Sequence, residues 1–195
     1  PWRLIGNPMV IARSDVPDLV SLGVLPDPDK DPEASFPAKA LAWKGKWNLP
    51  FYPDTWDGYP WARERLYDLS RKAGAGDLIF LSGDSHSFWT NRLADAQGRP
   101  AGIEFGTAGI SSPGDFVASG FGPDLSPKLD KAFAEHVDEV VWTDNMHQGY
   151  VRIELERDAG QATFIGVDTL LSSHYSTSIL NRFGFAPKNG SVDLV

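Results

Sequence analysis

The sequence predicts an α/β fold in which a layered, mixed β-sheet is flanked by helices. Three observations indicate this class. Short apolar strand patterns alternate with amphipathic helical patterns along the chain. The last two strand patterns alternate apolar and polar residues around a short turn that contains glycine, which is typical of an antiparallel hairpin. The 195 residues, 42% of them hydrophobic, are enough for one domain with a sizeable core.

Composition also narrows the partners and the kinds of site. The formal net charge of -8, from 18 basic and 26 acidic residues, argues against a nucleic-acid-binding surface. A bound cation would still allow an anionic substrate. The chain has no cysteine, which excludes disulfides, thiolate nucleophiles and cysteine-based zinc sites. It also has no apolar run long enough for a membrane span.

The first third is expected to begin with one strand and a long irregular segment. Residues 2–12 form an apolar pattern typical of a buried strand, interrupted by a Gly-Asn-Pro turn. The chain starts at Pro1 almost directly in this pattern, so we expect a start inside a larger fold. No signal peptide is visible in the sequence. The segment 15–50 is rich in proline and aromatic residues, which predicts a long ordered loop or a lid.

Two helices are predicted from capping signals and apolar spacing. The first covers residues 60–73, with Pro60 in its first turn and Gly74 just beyond its end. The second begins at Ser126, which is expected to be the N-cap, and the next residue is a proline. The expected inner faces consist of Ala62, Leu66, Leu69 and Ala73 in the first helix, and of Leu129, Phe133 and Val137 in the second.

Five further strands are predicted from apolar runs and alternation. The turn at 158–160 joins the last two as a hairpin. The chain after Leu171 is rich in Ser, Gly and Asn and is expected to be peripheral. The predicted strands cover residues 77–82, 101–106, 138–143, 149–157 and 161–170.

The turn after the strand at 77–82 carries the best candidate for chemistry. In α/β folds, ligands and catalytic groups collect beyond the carboxyl ends of strands. Asp84 and His86 alternate, so on an extended backbone both side chains would point to the same side. A carboxylate and an imidazole in that arrangement are suited to metal ligation. The spacing is equally compatible with a turn aspartate and a structural histidine.

The same turn supports a second interpretation, in which Ser85 is a nucleophile. Gly83-Asp84-Ser85 resembles the Gly-Asp-Ser block of the SGNH (GDSL-type) hydrolases, and Asp144 and His147 have that family's Asp-x-x-His spacing. A triad of these three residue types would be chemically adequate. The central position of the serine and the absence of a Gly-x-Asn-Asp block count against it. A polar turn between strands also explains the Asp-x-x-His spacing.

Charged residues near the first helix also have two interpretations each. Asp57 either stabilises the start of the helix or orients a metal ligand from behind. Arg63 and Arg65 are suited to phosphate binding, but arginines on an exposed helix face are more often solvated. A non-catalytic α/β binding module is a third possibility for the chain as a whole.

Four stretches combine these residues in one order and spacing: Asp54-Thr55-Trp56-Asp57-Gly58-Tyr59-Pro60-x-Ala62-Arg63-x-Arg65-Leu66, Leu81-Ser82-Gly83-Asp84-Ser85-His86-Ser87-Phe88-Trp89, Glu104-Phe105-Gly106-Thr107-x-x-Ile110-Ser111-Ser112-Pro113-Gly114 and Gly149-Tyr150-Val151. Together they resemble the alkaline phosphatase D (PhoD-like) family. The opening residues 2–10 are similar to the strand that precedes these stretches in the family. The segment 15–50 is the least family-like.

The resemblance implies a calcineurin-like metallophosphoesterase with a four-layer α/β/β/α fold. It implies a phosphate ester substrate, calcium and iron as metal ions, and a periplasmic or extracellular location. Asp84 and His86 would then be metal ligands, in the place of the superfamily's late Gly-His-x-His pair. The residues expected behind the metal or facing the substrate are Asp57, Trp56, Tyr59, Asn7 and His147.

The resemblance is also incomplete. The family's Gly-Asp-x-x-Tyr-x-Asp segment and its later Asp-His-Glu/Asn segment are both missing from this sequence. We therefore expect the C-terminal half of a catalytic domain, which is weak or inactive alone. A missing N-terminal half, or a second copy of the chain, is expected to cover the open face of its sheet.

Overall fold

The computed structural model describes residues 2–74, 78–188 and 191–195. Within these ranges the chain forms two β-sheets, with α-helices packed against one of them. Asp77, predicted to begin a strand, lies outside the described residues. The strands are β1 (Leu4–Asn7), β2 (Leu78–Ser82), β3 (Phe88–Ala94), β4 (Pro100–Gly106), β5 (Val140–Asp144), β6 (Gln148–Leu155), β7 (Gly160–Val167), β8 (Thr177–Lys188) and β9 (Ser191–Leu194), and the helices are α1 (Phe36–Lys46), α2 (Pro60–Lys72), α3 (Asp115–Ala118) and α4 (Ser126–His136).

The first sheet is mixed and has the strand order β1-β2-β4-β3-β5. Strands β1, β2 and β4 are parallel, and β3 is antiparallel to both β4 and β5. The carboxyl ends of the parallel strands therefore meet at one edge, at Asn7, Ser82 and Gly106. The start of β3 and the end of β5 lie at the same edge, because Phe88 pairs with Asp144.

The second sheet is antiparallel and has the order β6-β7-β8-β9. The predicted hairpin is confirmed, because β6 and β7 pair along their whole length. The prediction of a peripheral tail is wrong, since β8 and β9 complete this sheet and Phe185 is fully buried. The prediction was misled by the polar residues that follow Leu171. Further along, the strand alternates, and Phe183 and Phe185 both pack into the apolar core between the two sheets.

Two apolar cores define the layers. Alternate residues of β2 point to opposite sides, so that Ile79 packs between the two sheets while Leu78 and Phe80 pack under the helices. The core that contains Leu78 and Phe80 includes residues from all four α-helices and is called the helical core below. The predicted class, a layered mixed sheet flanked by helices, is confirmed. Within the described ranges, no helix has both the length and the apolar character needed to cross a lipid bilayer.

The segment 15–50 is not one long loop, because α1 lies inside it. Ser35 caps this helix by accepting a hydrogen bond from the backbone of Ala38, and a proline in the first turn starts the helix instead of preventing it. Val16 and Leu19, which precede it, are fully buried in the helical core. The segment is therefore held to the domain, and a lid function stays a prediction.

Helix α2 is confirmed in position, with Pro60 in its first turn and Gly74 in the left-handed region at its end. Its predicted inner face is displaced by one residue, although Leu66 of the predicted set does pack against the helical core. The buried residues are Arg63, Tyr67 and Ser70, one position further along than the predicted set, which equals a rotation of about 100°. Leu69 is 49% exposed. The polar partners of Arg63, described below, set this orientation, and a pattern of apolar residues alone does not reveal it.

Two smaller expectations were also wrong. Strand β1 is an edge strand and leaves Leu4 and Ile5 more than a third exposed, although its apolar pattern is typical of a buried strand. The N-cap of α4 is Leu125, because Ser126 is already helical and its hydroxyl donates to the Phe121 carbonyl at 2.9 Å. The predicted inner face of α4 is confirmed, since Leu129, Phe133 and Val137 are all buried.

Candidate functional site

A cavity of about 190 Å³ lies at the edge where the parallel strands of the first sheet end. Four segments of the chain line it: the stretch after β1, the stretch before the 3₁₀ turn Trp56–Gly58, the turn after β2 with the start of β3, and the beginning of α3. Its apolar wall includes Val10, Phe51 and Trp89. Its ionisable side chains are Tyr52, Asp54, Asp84, His86 and Asp115.

Asp84 and His86 line this cavity together, and both side chains are exposed. The extended backbone from which we predicted their shared side is not present. Both residues have left-handed backbone conformations, with φ values of 70° for Asp84 and 56° for His86. Such values are uncommon for residues other than glycine and concentrate at functional sites. The tight turn, and not strand alternation, brings the carboxylate and the imidazole to one cavity.

Asp115 and Tyr52 are cavity residues that the sequence analysis missed. Burial raises the pKa of the Asp115 carboxyl to about 6, although the Tyr52 hydroxyl and the His86 ring beside it act in the opposite direction. Burial and the Asp115 charge also raise the pKa of the Tyr52 hydroxyl. The Oδ2 atom of Asp115 is buried without a hydrogen-bond partner among the described residues. The Pro-Gly-Asp turn after the strand at 101–106 was the available sequence signal.

Ser85 lies in the cavity wall, but its hydroxyl is used locally. The oxygen accepts a hydrogen bond from Trp89 Nε1 at 2.9 Å and is 3.4 Å from the Ser87 carbonyl oxygen. Asp144 and His147 do form a pair, with 2.8 Å between Oδ2 and Nδ1. His147 does not line the cavity, however, and the described contacts contain no bond from it to Ser85. The geometry does not support the serine esterase alternative.

Asp57 is buried outside the cavity, where it supports the wall. Its carboxylate accepts from Arg63 Nη1 at 2.7 Å and from the backbone N–H and hydroxyl of Ser14 at 2.9 and 3.0 Å. Ser14 itself lines the cavity. Asp57 does not cap α2, whose N-cap is Tyr59 without a side-chain hydrogen bond, and Asp57 itself lies in the 3₁₀ turn Trp56–Gly58, which Thr55 caps. Arg63 is 3% exposed, so the expectation of a solvated arginine at this position is wrong.

Four other predicted residues lie away from this cavity. Trp56 packs against the helical core, and Tyr59 is 60% exposed at the start of α2. Asn7 lines a separate, more open cavity of about 360 Å³, where the end of β1 faces β6. His147 is exposed in the turn between β5 and β6. Their roles near a substrate stay predictions.

The donor set at the cavity is compatible with part of a metal site. Asp84 supplies a hard oxygen and His86 a nitrogen, which together suit divalent or trivalent first-row metals. Within the described ranges, no group of three or more His, Cys, Asp or Glu side chains is placed to hold a metal ion. Hydrolytic metal ions generally have at least three protein ligands. Asp84 and His86 therefore offer two donors of suitable chemistry, which is fewer than a complete centre needs.

Comparison with known proteins gives consistent matches over most of the chain. The family model of the PhoD-like phosphatases matches residues 1–164. Alkaline phosphatase D of Bacillus subtilis (strain 168) is 30% identical over 117 residues, which cover 55% of this chain and 19% of that protein. A solved structure described as the structure of PhoD superposes on all of this chain with a TM-score of 0.65 and 16% identity, and the chain covers 31% of it. The chain thus spans less than a third of the length of either relative.

Proposed function

The chain belongs to the PhoD-like phosphatase family, and we propose that it is the C-terminal part of a metal-dependent phosphoric ester hydrolase. Membership of a phosphatase family supports hydrolysis of phosphate esters as the reaction class. The proposal extends this to both monoesters and diesters. It assigns Asp84 and His86 as two of the metal ligands.

One observation carries the assignment of the ligands. Asp84 and His86 both hold left-handed backbone conformations, both are exposed, and both line the same cavity at the carboxyl edge of the sheet. A fold that maintains two such conformations in one turn presents these side chains for a ligand. When bound, a metal ion would polarise the phosphate and activate water. The apolar wall around Phe51 and Trp89 would limit access of bulk water to that side of the cavity.

The site is proposed to be completed by residues that this chain does not contain. Strands β1 and β6 are the edges of their sheets, and Trp2 Nε1 before β1 donates to the Glu156 carbonyl after β6 at 2.6 Å. Both sheets therefore end on the same side of the molecule. Leu4 and Ile5 are partly exposed there. We propose that the N-terminal half of the catalytic domain packs on this side, and a second copy of the chain is the alternative.

The metals and the location follow from the family resemblance. We propose calcium and iron as the ions, with Asp84 and His86 contributing to the shared cluster. We further propose that the complete protein is exported to the periplasm or the cell exterior. The acidic net charge of -8 is compatible with an anionic substrate once cations occupy the site.

An activity assay tests the proposal. The chain alone, supplied with calcium and iron, should hydrolyse aryl phosphate monoesters and diesters weakly or not at all. A longer protein that includes the upstream half should turn over both kinds of ester and lose that activity with a chelator. His86→Ala should lower its turnover by at least about 100-fold, because changes to residues that merely orient a ligand already cost about 10- to 100-fold.

His174→Ala is the matched control, since His174 is exposed and lies outside the cavity. This variant should keep the activity of the unmodified protein. Turnover that survives both the chelator and His86→Ala would overturn the proposal. Loss of turnover on Ser85→Ala without any effect of chelator would instead support a serine esterase.

A further inference from the structure

We propose that Asn145 is a positioning residue, which holds the turn bearing Asp84 and His86 against the segment bearing Asp115. Asn145 lies between β5 and β6, where the sequence indicates only a polar turn. Its side chain is fully buried. The consequence for metal binding rests on the proposed function, whereas the hydrogen bonds that carry the proposal do not.

The side-chain oxygen of Asn145 joins two walls of the cavity. Oδ1 accepts from the Ser87 hydroxyl at 2.7 Å and from the Phe116 backbone N–H at 3.4 Å. Ser87 directly follows His86, and Phe116 directly follows Asp115. The Ser87 hydroxyl oxygen in turn accepts from the Asp115 backbone N–H at 3.3 Å. One amide oxygen thus connects the segment that carries Asp84 and His86 with the segment that carries Asp115.

The rest of Asn145 is anchored to the helical side of the domain. Nδ2 donates to Asp130 Oδ1 at 2.6 Å and to the Thr143 hydroxyl at 3.3 Å. The backbone N–H donates to Asp130 Oδ2 at 3.2 Å. Asp130 is buried in α4, and both of its carboxylate oxygens hold Asn145. The two carboxyl oxygens both accept from N–H groups of Asn145, so the amide nitrogen faces α4 and the amide oxygen is left for the cavity walls.

Close packing keeps the two segments in this arrangement. Gly114, just before Asp115, lies so near Asn145 that a Cβ atom on it would be 2.2 Å from the Asn145 carbonyl oxygen. The φ of Gly114 is -61°, which any residue adopts, so the close approach and not the backbone conformation requires glycine. The Pro-Gly-Asp sequence therefore brings Asp115 to Asn145 by direct backbone contact.

The turn at Asp84 and His86 needs such support. Both residues hold φ values that side chains disfavour, and such conformations persist only when surrounding contacts impose them. A binding site also requires its ligands to be held within about 0.5 Å. Ser87 is the buried residue of this turn that is bonded across the molecule, and its partner is Asn145. Loss of the amide should free the turn while the sheets stay intact.

Amide hydrogen exchange of the full 195-residue chain tests this proposal. In Asn145→Ala, exchange in residues 83–87 and 114–117 should rise by about 10-fold or more, because these segments would open locally. Exchange in the central strands β4 and β7 should remain within about twofold of the unmodified chain. Ser87→Ala removes only the hydroxyl that donates to Asn145 and should give the same exchange pattern. It replaces Asn145→Ala as the test variant if Asn145→Ala does not fold.

Thr143→Val is the control, because it removes one bond of Asn145 but none that leads to the cavity. It should leave exchange in both segments unchanged. The double variant Ser87→Ala/Asn145→Ala should exchange no faster than Asn145→Ala, since both changes break the same link. A uniform rise that includes β4 and β7, or no rise at the two segments, would overturn the proposal.

Titration with Mn²⁺ extends the test to ligand binding. Asn145→Ala should weaken Mn²⁺ affinity by about 10- to 100-fold, as expected when a residue that orients a ligand is removed. An unchanged affinity, together with faster local exchange, would overturn the link to the metal ligands. The longer protein that includes the upstream half is titrated in the same way. If neither unmodified protein binds Mn²⁺, the proposed function fails on that count, and the exchange result alone decides the role of Asn145.

Discussion

Asp57 and Asp84 occupy opposite environments, although both belong to stretches that resemble the same family. Asp57 is buried, paired with Arg63 at 2.7 Å and bonded twice by Ser14. Asp84 is exposed, has a φ of 70° and faces the cavity with His86. One carboxylate has its hydrogen-bonding capacity used by the fold, and the other is left available. A charged residue in a family motif can therefore serve stability or ligand binding, and its partners decide which.

Asp57→Ala gives the largest expected effect on stability. It leaves the Arg63 guanidinium buried without its counter-ion, which typically costs about 3–5 kcal/mol. Asp84→Ala, the matched change in the exposed environment, should lower the free energy of unfolding by only about 1–2 kcal/mol, because it removes no buried partner and only places alanine at a left-handed φ. Urea denaturation of the two variants measures both values. Equal destabilisation by the two changes would break the comparison.

Asp130 is a second buried carboxyl, and the pH dependence of stability gives another way to compare buried with exposed carboxyl groups. Burial raises its pKa from 3.8 to about 7, with the backbone and side chain of Asn145 acting against that shift. Between these pH values the folded state binds a proton that the unfolded state has released. The contribution of Asp130 to stability is therefore fully present below about pH 4 and is lost as pH rises to about 7.

The slope of this loss reaches about 1.4 kcal/mol per pH unit for one proton. Denaturation of the unmodified chain and of Asp130→Asn at intervals from pH 4 to pH 8 isolates it as a difference. The unmodified chain should lose stability with rising pH relative to the variant. A difference that is flat, or that has the opposite sign, would show that Asp130 titrates as it does in the unfolded chain.

Asp84→Gly gives the smallest expected effect on stability. Glycine adopts φ values near 70° without steric cost but makes the unfolded chain more flexible, so the two changes should cancel to within about 1 kcal/mol. The same variant should lose metal binding, since it removes a proposed ligand. Thermal unfolding and Mn²⁺ titration measure the two properties separately. A strong loss of stability would place Asp84 with Asp57, among the residues that hold the fold.

Sequence reasoning succeeded where the signal was local. The apolar spacing of Leu129, Phe133 and Val137 identified the inner face of α4, although the same face also buries Asp130, which the spacing does not reveal. The predicted buried face of α2 was displaced because Arg63 lies on the true one. A buried arginine cannot be told from a surface arginine in the sequence until its partner is known. Strand β8 was missed because polar residues precede the buried Phe185 and the partly buried Phe183.

The residues of the candidate site also fall into those that a local sequence signal identifies and those that depend on distant contacts. Asp84 and His86 could be selected because they follow a recognisable strand, although the backbone that unites them is not the extended one we assumed. Asp115 had only the Pro-Gly-Asp turn as a signal, and Tyr52 and Asn145 had none, because each acquires its role from residues distant in the sequence. Spacing within a motif does not encode such long-range contacts.

Paramagnetic broadening by Mn²⁺ in the NMR spectrum tests the central claim most directly, since it locates a bound ion without requiring turnover. The account predicts that substoichiometric Mn²⁺ broadens the resonances of residues 83–87 and of Asp115 first, and that His86→Ala removes this effect. Broadening confined to the acidic segment 27–33, or unchanged by His86→Ala, would contradict the assignment of Asp84 and His86 as metal ligands.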